Sequence, residues 1–265
     1  GYSSLSYDIT PYLNPAGAEH LIAVRCDNAE QPNSRWYAGC GIYRNVRLVT
    51  TADTFVEYSG TYITTPEVDI NSAVAHIAVT LTNKGHEDKT VTLVNIIRNA
   101  NNKQERKSET VRTIKAGSSI EIEMDMQVPT PTLWDIDNPY LYTLESRVEI
   151  NHQPIDHYYT PFGFRTFEFD AETGLWLNGR NLKLQGVCMH HDMGALGTAV
   201  HRRALERQLE ILRSYGVNAI RTSHNPPTPE LLELCDQMGF LVMDEAFDMW
   251  RRAKTQYDYS RFFDE

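Results

Sequence analysis

Three stretches decide the fold: LKLQGVCMHHD (182–192), VNAIRTSHNPP (217–227) and FLVMDEAF (240–247), with a charged amphipathic segment between each pair. VNAIR and FLVMD are short apolar runs without polar alternation, which is the pattern of strands covered on both faces. The segment between them starts with Thr228 in N-cap position and Pro229 at the first helical position, with Glu230 and Glu233 near the positive helix end. Leu231, Leu234, Cys235 and Met238 give it one apolar face, and Gly239 ends it. The earlier segment, about Arg202 to Tyr215, offers Leu205, Leu209 and Leu212 to a core and ends at Gly216. The spacing therefore predicts strand, helix, strand, helix, strand: two right-handed βαβ units in series. Polar residues gather just past each strand: His190, His191 and Asp192; Arg221, Ser223, His224 and Asn225; Asp244 and Glu245. A rim of this kind, at the C-terminal ends of parallel strands, is where α/β folds place their binding sites.

Upstream the pattern is all-β. AVAHIAVTLTN (73–83), KTVTLVNIIRNA (89–100), SIEIEMDMQV (119–128) and LYTLESRVEI (141–150) alternate apolar and polar residues, with turn signals at NKGHED, NANNKQE and KAGS. About 110 residues of this kind predict an immunoglobulin-like β-sandwich over 53–165. Trp134, within PTLWDIDNPYLYTL, reads as a core anchor. Residues 1–52 hold two strand-like segments, HLIAVRCDN (20–28) and YRNVRLVT (43–50), around a loop rich in Pro, Gly and aromatics. They read as the tail of a further β-sandwich, since two or three strands cannot close a core. FEFDAETGLWLNGRNLKLQG (167–186) predicts a hairpin turning at Asn178-Gly179, leading into the βαβ series that opens a third domain at 166–265.

A chain of 265 residues with 41% hydrophobic and 23% charged residues fits a soluble multidomain protein of mixed β and α/β class. Its net charge of −10, without a Lys/Arg cluster, argues against a nucleic-acid partner. No apolar run is long enough to cross a bilayer, and no membrane partner is expected. No signal peptide is visible at Gly1, so the compartment, cytoplasmic or periplasmic and secreted, stays open, as does assembly into a homo-oligomer. The 4 cysteines lack CxxC spacing, and two lie on expected core faces, so buried free thiols are expected rather than a disulfide framework or a zinc site.

Each polar cluster has a plain structural alternative. His190 and His191 are neighbours on a strand and point to opposite faces, which makes them a poor metal pair. Asp244 and Glu245 diverge for the same reason, and Asp244 reads as a partner of Arg221 at least as readily as a catalytic acid. Ser223 beside His224 carries no GxSxG elbow, so a serine nucleophile is discounted. A doubly wound dinucleotide-binding fold lacks its glycine-rich phosphate loop.

GVCMHHD (186–192), NAIRTSHNPPTPELLELCDQMG (218–239) and FLVMDEAFDMW (240–250) resemble the first three barrel strands of glycoside hydrolase family 2, the β-galactosidase and β-glucuronidase family. RWYAGCGIYRNV (35–46) is similar to that family's signature near the end of its jelly-roll domain; NPYLYTL (138–144) and PFGFRTFEF (161–169) are similar to stretches bounding its middle domain. The resemblance implies a partial jelly roll over 1–52, the immunoglobulin-like sandwich, and the N-terminal part of a (β/α)8 TIM barrel. It also implies a retaining exo-β-glycosidase, with two glutamates as acid/base and nucleophile about 5–5.5 Å apart. The acid/base belongs to an Asn-Glu pair that does not occur after Trp250. Both glutamates are therefore expected beyond Glu265, none of the catalytic pair in this chain, and no hydrolysis by the segment alone. The resemblance makes His190 a sugar contact, has Arg221 orient the nucleophile and keep it ionised, lets His224 and Asn225 line the pocket, and has Asp244 brace Arg221. Arg35 and Trp36 would reach toward the barrel mouth. Ala246 to Trp250 replace the magnesium ligands of the metal-dependent galactosidases, so neither a metal nor another cofactor is expected. The DEAFDMW ending favours a β-galactoside as substrate. β-Glucuronidase activity, or a non-catalytic carbohydrate-binding module, are the competing readings.

Overall fold

The computed structural model describes residues 2–32, 34, 39–258 and 260, in two compact units. One takes in residues 47–184 and 236–239, the other residues 1–46, 185–235 and 240–265.

The first unit contains a seven-stranded sandwich. Strands β1 (Thr54–Val68), β2 (Ser72–Asn83) and β5 (Ser118–Pro129) form one antiparallel sheet in the order β1-β2-β5. The other sheet contains β3 (Lys89–Arg98), β4 (Gln104–Ile114), β6 (Tyr142–Ile150) and β7 (Gln153–Phe162), in the order β4-β3-β6-β7. Alternation along the strands sends Ala75, Ile77, Val79 and Leu81 inward from β2, and Val91, Leu93 and Ile97 from β3, where they meet Leu144 and Val148 of β6. Trp134 is buried as expected, and the Phe164 carbonyl accepts its backbone N–H at 2.8 Å. Gly163 is required there, because a Cβ at that position would lie 2.8 Å from the Trp134 Cβ. The same unit holds a small antiparallel sheet of β8 (Phe167–Asp170), β9 (Gly174–Leu177) and β10 (Arg180–Leu182). The expected turn lies between β9 and β10: Leu177 pairs with Arg180, and Asn178 and Gly179 have φ of 50° and 73°, the left-handed values of a type I′ turn. This sheet lies in the same compact unit as the sandwich. The Asn178 side chain accepts the Thr166 N–H at 3.0 Å and donates to the Trp134 carbonyl at 2.9 Å.

The second unit contains the parallel strands β11 (Gly186–Met189), β12 (Ala219–Thr222) and β13 (Leu241–Met243), in sequential order. Helix α1 (Arg202–Ser214) follows β11, and α2 (Pro229–Met238) follows β12. The Thr228 hydroxyl accepts the Leu231 N–H at 3.3 Å, and Gly216 and Gly239 stand past the helix ends with φ of 82° and 75°. Leu205 and Leu209 of α1 and Leu231, Leu234 and Cys235 of α2 are buried, as is Ile220 of β12. Among the described residues no helix is long and apolar enough to cross a membrane.

Two expectations are corrected. Residues 20–28 and 43–50 are not strands: among the described residues neither finds a neighbouring ladder, and Leu21 is 95% and Val46 79% exposed. Of the four thiols only Cys235 is buried. Cys26 belongs to one of those unpaired segments, and Cys188 lies on the same side of its sheet as Arg221 instead of against the helices.

Candidate functional site at the parallel strand ends

Register assigns the side chains to faces. Cys188 pairs with Arg221, and Arg221 with Met243, so these three project to one side of the sheet. Val187, Ile220 and Val242 form the next layer and project to the other side, where Ile220 is only 1% exposed. Two residues beyond Met243, Glu245 returns to the Arg221 side, whereas Asp244 falls on the opposite one.

The polar contacts follow this alternation. Arg221 donates from Nε to Glu245 Oε1 at 2.6 Å, and its NH2 lies 2.5 Å from the same oxygen. His224 Nδ1 meets the other oxygen, Oε2, at 2.6 Å. Asp244 is not the partner of Arg221. It accepts a hydrogen bond from the Thr222 hydroxyl at 3.2 Å, and that hydroxyl accepts the Glu245 backbone N–H at 2.8 Å. Partial burial opposes ionisation of Glu245, but the hydrogen bonds from His224 and Arg221 outweigh it and hold the carboxyl below its ordinary range. The His190 and His224 rings meet edge to face with centroids 5.7 Å apart. Lys254 Nζ lies 2.9 Å from Asp248 Oδ1, which is 4.0 Å from His224 Nε2. His190, Arg221, His224 and Glu245 thus gather on one side of the strand ends.

Asn225 is 4% exposed, yet its amide oxygen and nitrogen find no hydrogen-bond partner of good geometry among the described residues. A buried amide in this condition marks a place where a polar ligand can complete the bonding.

The second histidine of the pair has a different environment. His191 stacks on Tyr2 with ring centroids 5.2 Å apart, and its Nε2 lies 3.3 Å from Arg44 NH2. Arg44 also donates to the Pro226 carbonyl at 2.8 Å and to the Tyr2 carbonyl. Burial, reinforced by the Arg44 charge, pushes the His191 imidazole down to about 4. Arg44 therefore joins the loop after β11 to the loop after β12, the two loops that carry His190 and His224. Beside it, Asn45 Nδ2 donates to Glu230 Oε1 at 2.5 Å.

Glu245 as the partner of Arg221, and Arg44 as a tie between loops, are features that reading the sequence alone missed. Counting in steps of two from Arg221 and Glu245 finds the first only once the register is known, and no local signal pairs Arg44 with residues 147 and 182 positions away. Arg35 and Trp36 lie outside the described residues. Among the described residues no three His, Cys, Asp or Glu side chains converge as metal ligands.

Comparison with known proteins gives two family matches. The model described as "Glycosyl hydrolases family 2" matches residues 55–165, and that described as "Glycosyl hydrolases family 2, TIM barrel domain" matches residues 171–257. "Beta-galactosidase BoGH2A" of Bacteroides ovatus is 52% identical over all of this chain and 31% of its own length. A putative beta-glucuronidase of Formosa agariphila is 38% identical over all of this chain and 25% of its own. The crystal structure of a beta-glycosidase from Bacteroides vulgatus is 32% identical, with a TM-score of 0.86 over 98% of this chain and 32% of that one. The chain spans about a third or less of the relatives it matches.

Proposed function

The chain belongs to glycoside hydrolase family 2, and from that premise we propose that it forms the sandwich and the first barrel strands of a retaining exo-β-glycosidase that releases terminal β-galactosyl residues. Residues 1–52 are the tail of its jelly-roll domain. The observation that carries this reading is the carboxylate of Glu245 held between Arg221 and His224 at the ends of parallel strands. The 52% identity to a β-galactosidase supports the choice of sugar.

Retaining hydrolysis needs one carboxylic acid that protonates the leaving oxygen and one carboxylate that attacks the anomeric carbon, about 5–5.5 Å apart. Glu245 suits neither task. Two hydrogen-bonded cationic or imidazole partners keep it ionised, so it cannot deliver a proton near neutrality, and they occupy the oxygens a nucleophile would use. Its role is to hold Arg221 and His224 in place. Arg221 then provides a fixed positive charge beside the nucleophile, which lowers that group's pKa. His190 and His224 contact sugar hydroxyls, Asn225 supplies the amide that a hydroxyl completes, and Asp244 braces the strand end through Thr222. Arg35 and Trp36 contribute further sugar contacts. The acid/base and nucleophile glutamates come from sequence outside these 265 residues, and the segment alone does not hydrolyse glycosides.

Assaying the full-length protein with chromogenic β-galactoside and β-glucuronide decides the matter. The expected outcome is a kcat/KM at least about tenfold higher for the galactoside, a difference of about 1.4 kcal/mol in transition-state binding. Preference for the glucuronide supports the second reading, which the 38% identical putative beta-glucuronidase favours. Sugar binding without turnover of either substrate would make the protein a non-catalytic carbohydrate-binding module.

A further inference from the structure

Cys26 and Cys40 stand 14 residues apart in sequence, with their sulfurs 3.4 Å from each other. Both are exposed free thiols. The next residue, Gly41, has φ of 94°, a conformation that a side chain would strain, and its N–H donates to the Cys26 sulfur at 3.2 Å. We propose that Cys26 and Cys40 are a redox site that closes reversibly into an intrachain disulfide, using none of the residues assigned to the sugar.

The geometry favours this pair over other pairings. A disulfide has its sulfurs about 2.05 Å apart, so closing the bond takes a relative sulfur movement of about 1.4 Å, within reach of side-chain rotation. Cys235 is buried in α2, and Cys188 lies against Arg221, whose NH1 is 3.6 Å from its sulfur. The two thiols of the pair also differ in acidity. The Gly41 N–H, and after it the Cys40 thiol, lower the Cys26 pKa, while donating to Cys26 raises that of Cys40. Cys26 is thus the thiol that ionises first and attacks first.

The oxidant is a small-molecule disulfide of the glutathione class. The Cys26 thiolate attacks one of its sulfurs, forming a mixed disulfide and releasing one small thiol. Cys40 then loses its proton to solvent and attacks the Cys26 sulfur, forming the Cys26–Cys40 bond and releasing the second small thiol. Two protein thiols are oxidised and one disulfide is reduced to two thiols. The bridge joins the two ends of the sequence 27–39, which includes Arg35 and Trp36.

Equilibrating the full-length protein in graded mixtures of oxidised and reduced glutathione, quenching by alkylation and mapping the peptides by mass tests the proposal. The expected result is a Cys26 peptide linked to the Cys40 peptide in oxidising mixtures and separated in reducing ones, with a higher thermal midpoint for the oxidised form. Cys26→Ser and Cys40→Ser should each abolish the linked peptide and the shift, and the double variant Cys188→Ser, Cys235→Ala should keep the linked peptide. The peptide map of the unsubstituted protein decides even where a variant folds poorly. Both thiols remaining alkylatable in the most oxidising mixture would overturn the proposal, as would Cys26 appearing only in a mixed disulfide or linked to a second chain.

Discussion

Arg221 on β12 and Glu245, two residues past the end of the adjacent parallel strand β13, share a 2.6 Å bond from Nε to Oε1, and Asp244 next door takes no part in it. A strand's two-residue period sorts the consecutive acids to opposite sides, so two carboxylates of similar chemistry acquire unrelated partners.

Glu245→Gln in the full-length protein removes the charge that Arg221 and His224 both answer. We expect kcat to fall by at least about tenfold with a smaller change in KM, because the loss falls on groups that position the transition state. Asp244→Asn, on the other side of the strand, should cost less. Steady-state kinetics of the two variants side by side checks this, and equal losses would count against the division of roles.

Asn225→Ala should weaken galactose as a competitive inhibitor by about tenfold, the worth of one well-made hydrogen bond of about 1 to 1.5 kcal/mol. The amide faces His191 but makes no hydrogen bond of good geometry among the described residues, so the thermal midpoint should move little. A large drop in stability without a change in inhibition would show that the amide serves the fold and not the sugar.

Stability should depend on pH through His191. Its imidazole is held down to about 4 in the folded protein, against an ordinary value of 6.5, so folding favours the neutral ring. That contribution is complete above about pH 6.5 and is lost as pH falls from there through 4, because the unfolded chain takes up a proton that the folded one refuses. Arg44→Met removes the neighbouring charge and should bring the His191 titration back toward its ordinary value. Denaturation midpoints between pH 4 and 7, compared for the two proteins, should show a shallower acid slope in the variant.

Gly163→Ala places a methyl 2.8 Å from the Trp134 Cβ, in the backbone-held end of the sandwich. The expected cost is about 1–3 kcal/mol, the usual range for overpacking a tight site. Chemical denaturation of the protein measures it, and an unchanged midpoint would mean that Trp134 gives way freely.

Much of this was legible before any coordinates. Local rules suffice for the barrel strands and their helices: Thr228 and Pro229 start α2, Gly239 stops it, and Asn178-Gly179 can only be a tight turn. The same reading fails where partners are distant. HLIAVRCDN reads as strand-like, but a strand exists only with a neighbour to bond, and among the described residues it has none. Arg44 and His191 are separated by 147 residues, and their encounter depends on how the segment ending at Val46 lies on the strand ends of its own unit. The identity of the Arg221 partner hinged on register, which pattern alone leaves undetermined.

The Thr222 hydroxyl accepts from the Glu245 backbone and donates to Asp244, so it has both its capacities spent. A Thr222→Val exchange keeps the shape and strips out both bonds, leaving a main-chain amide stranded. Engineers who wish to retune sugar preference would do well to treat this one small side chain as fixed masonry and to vary the loops around it.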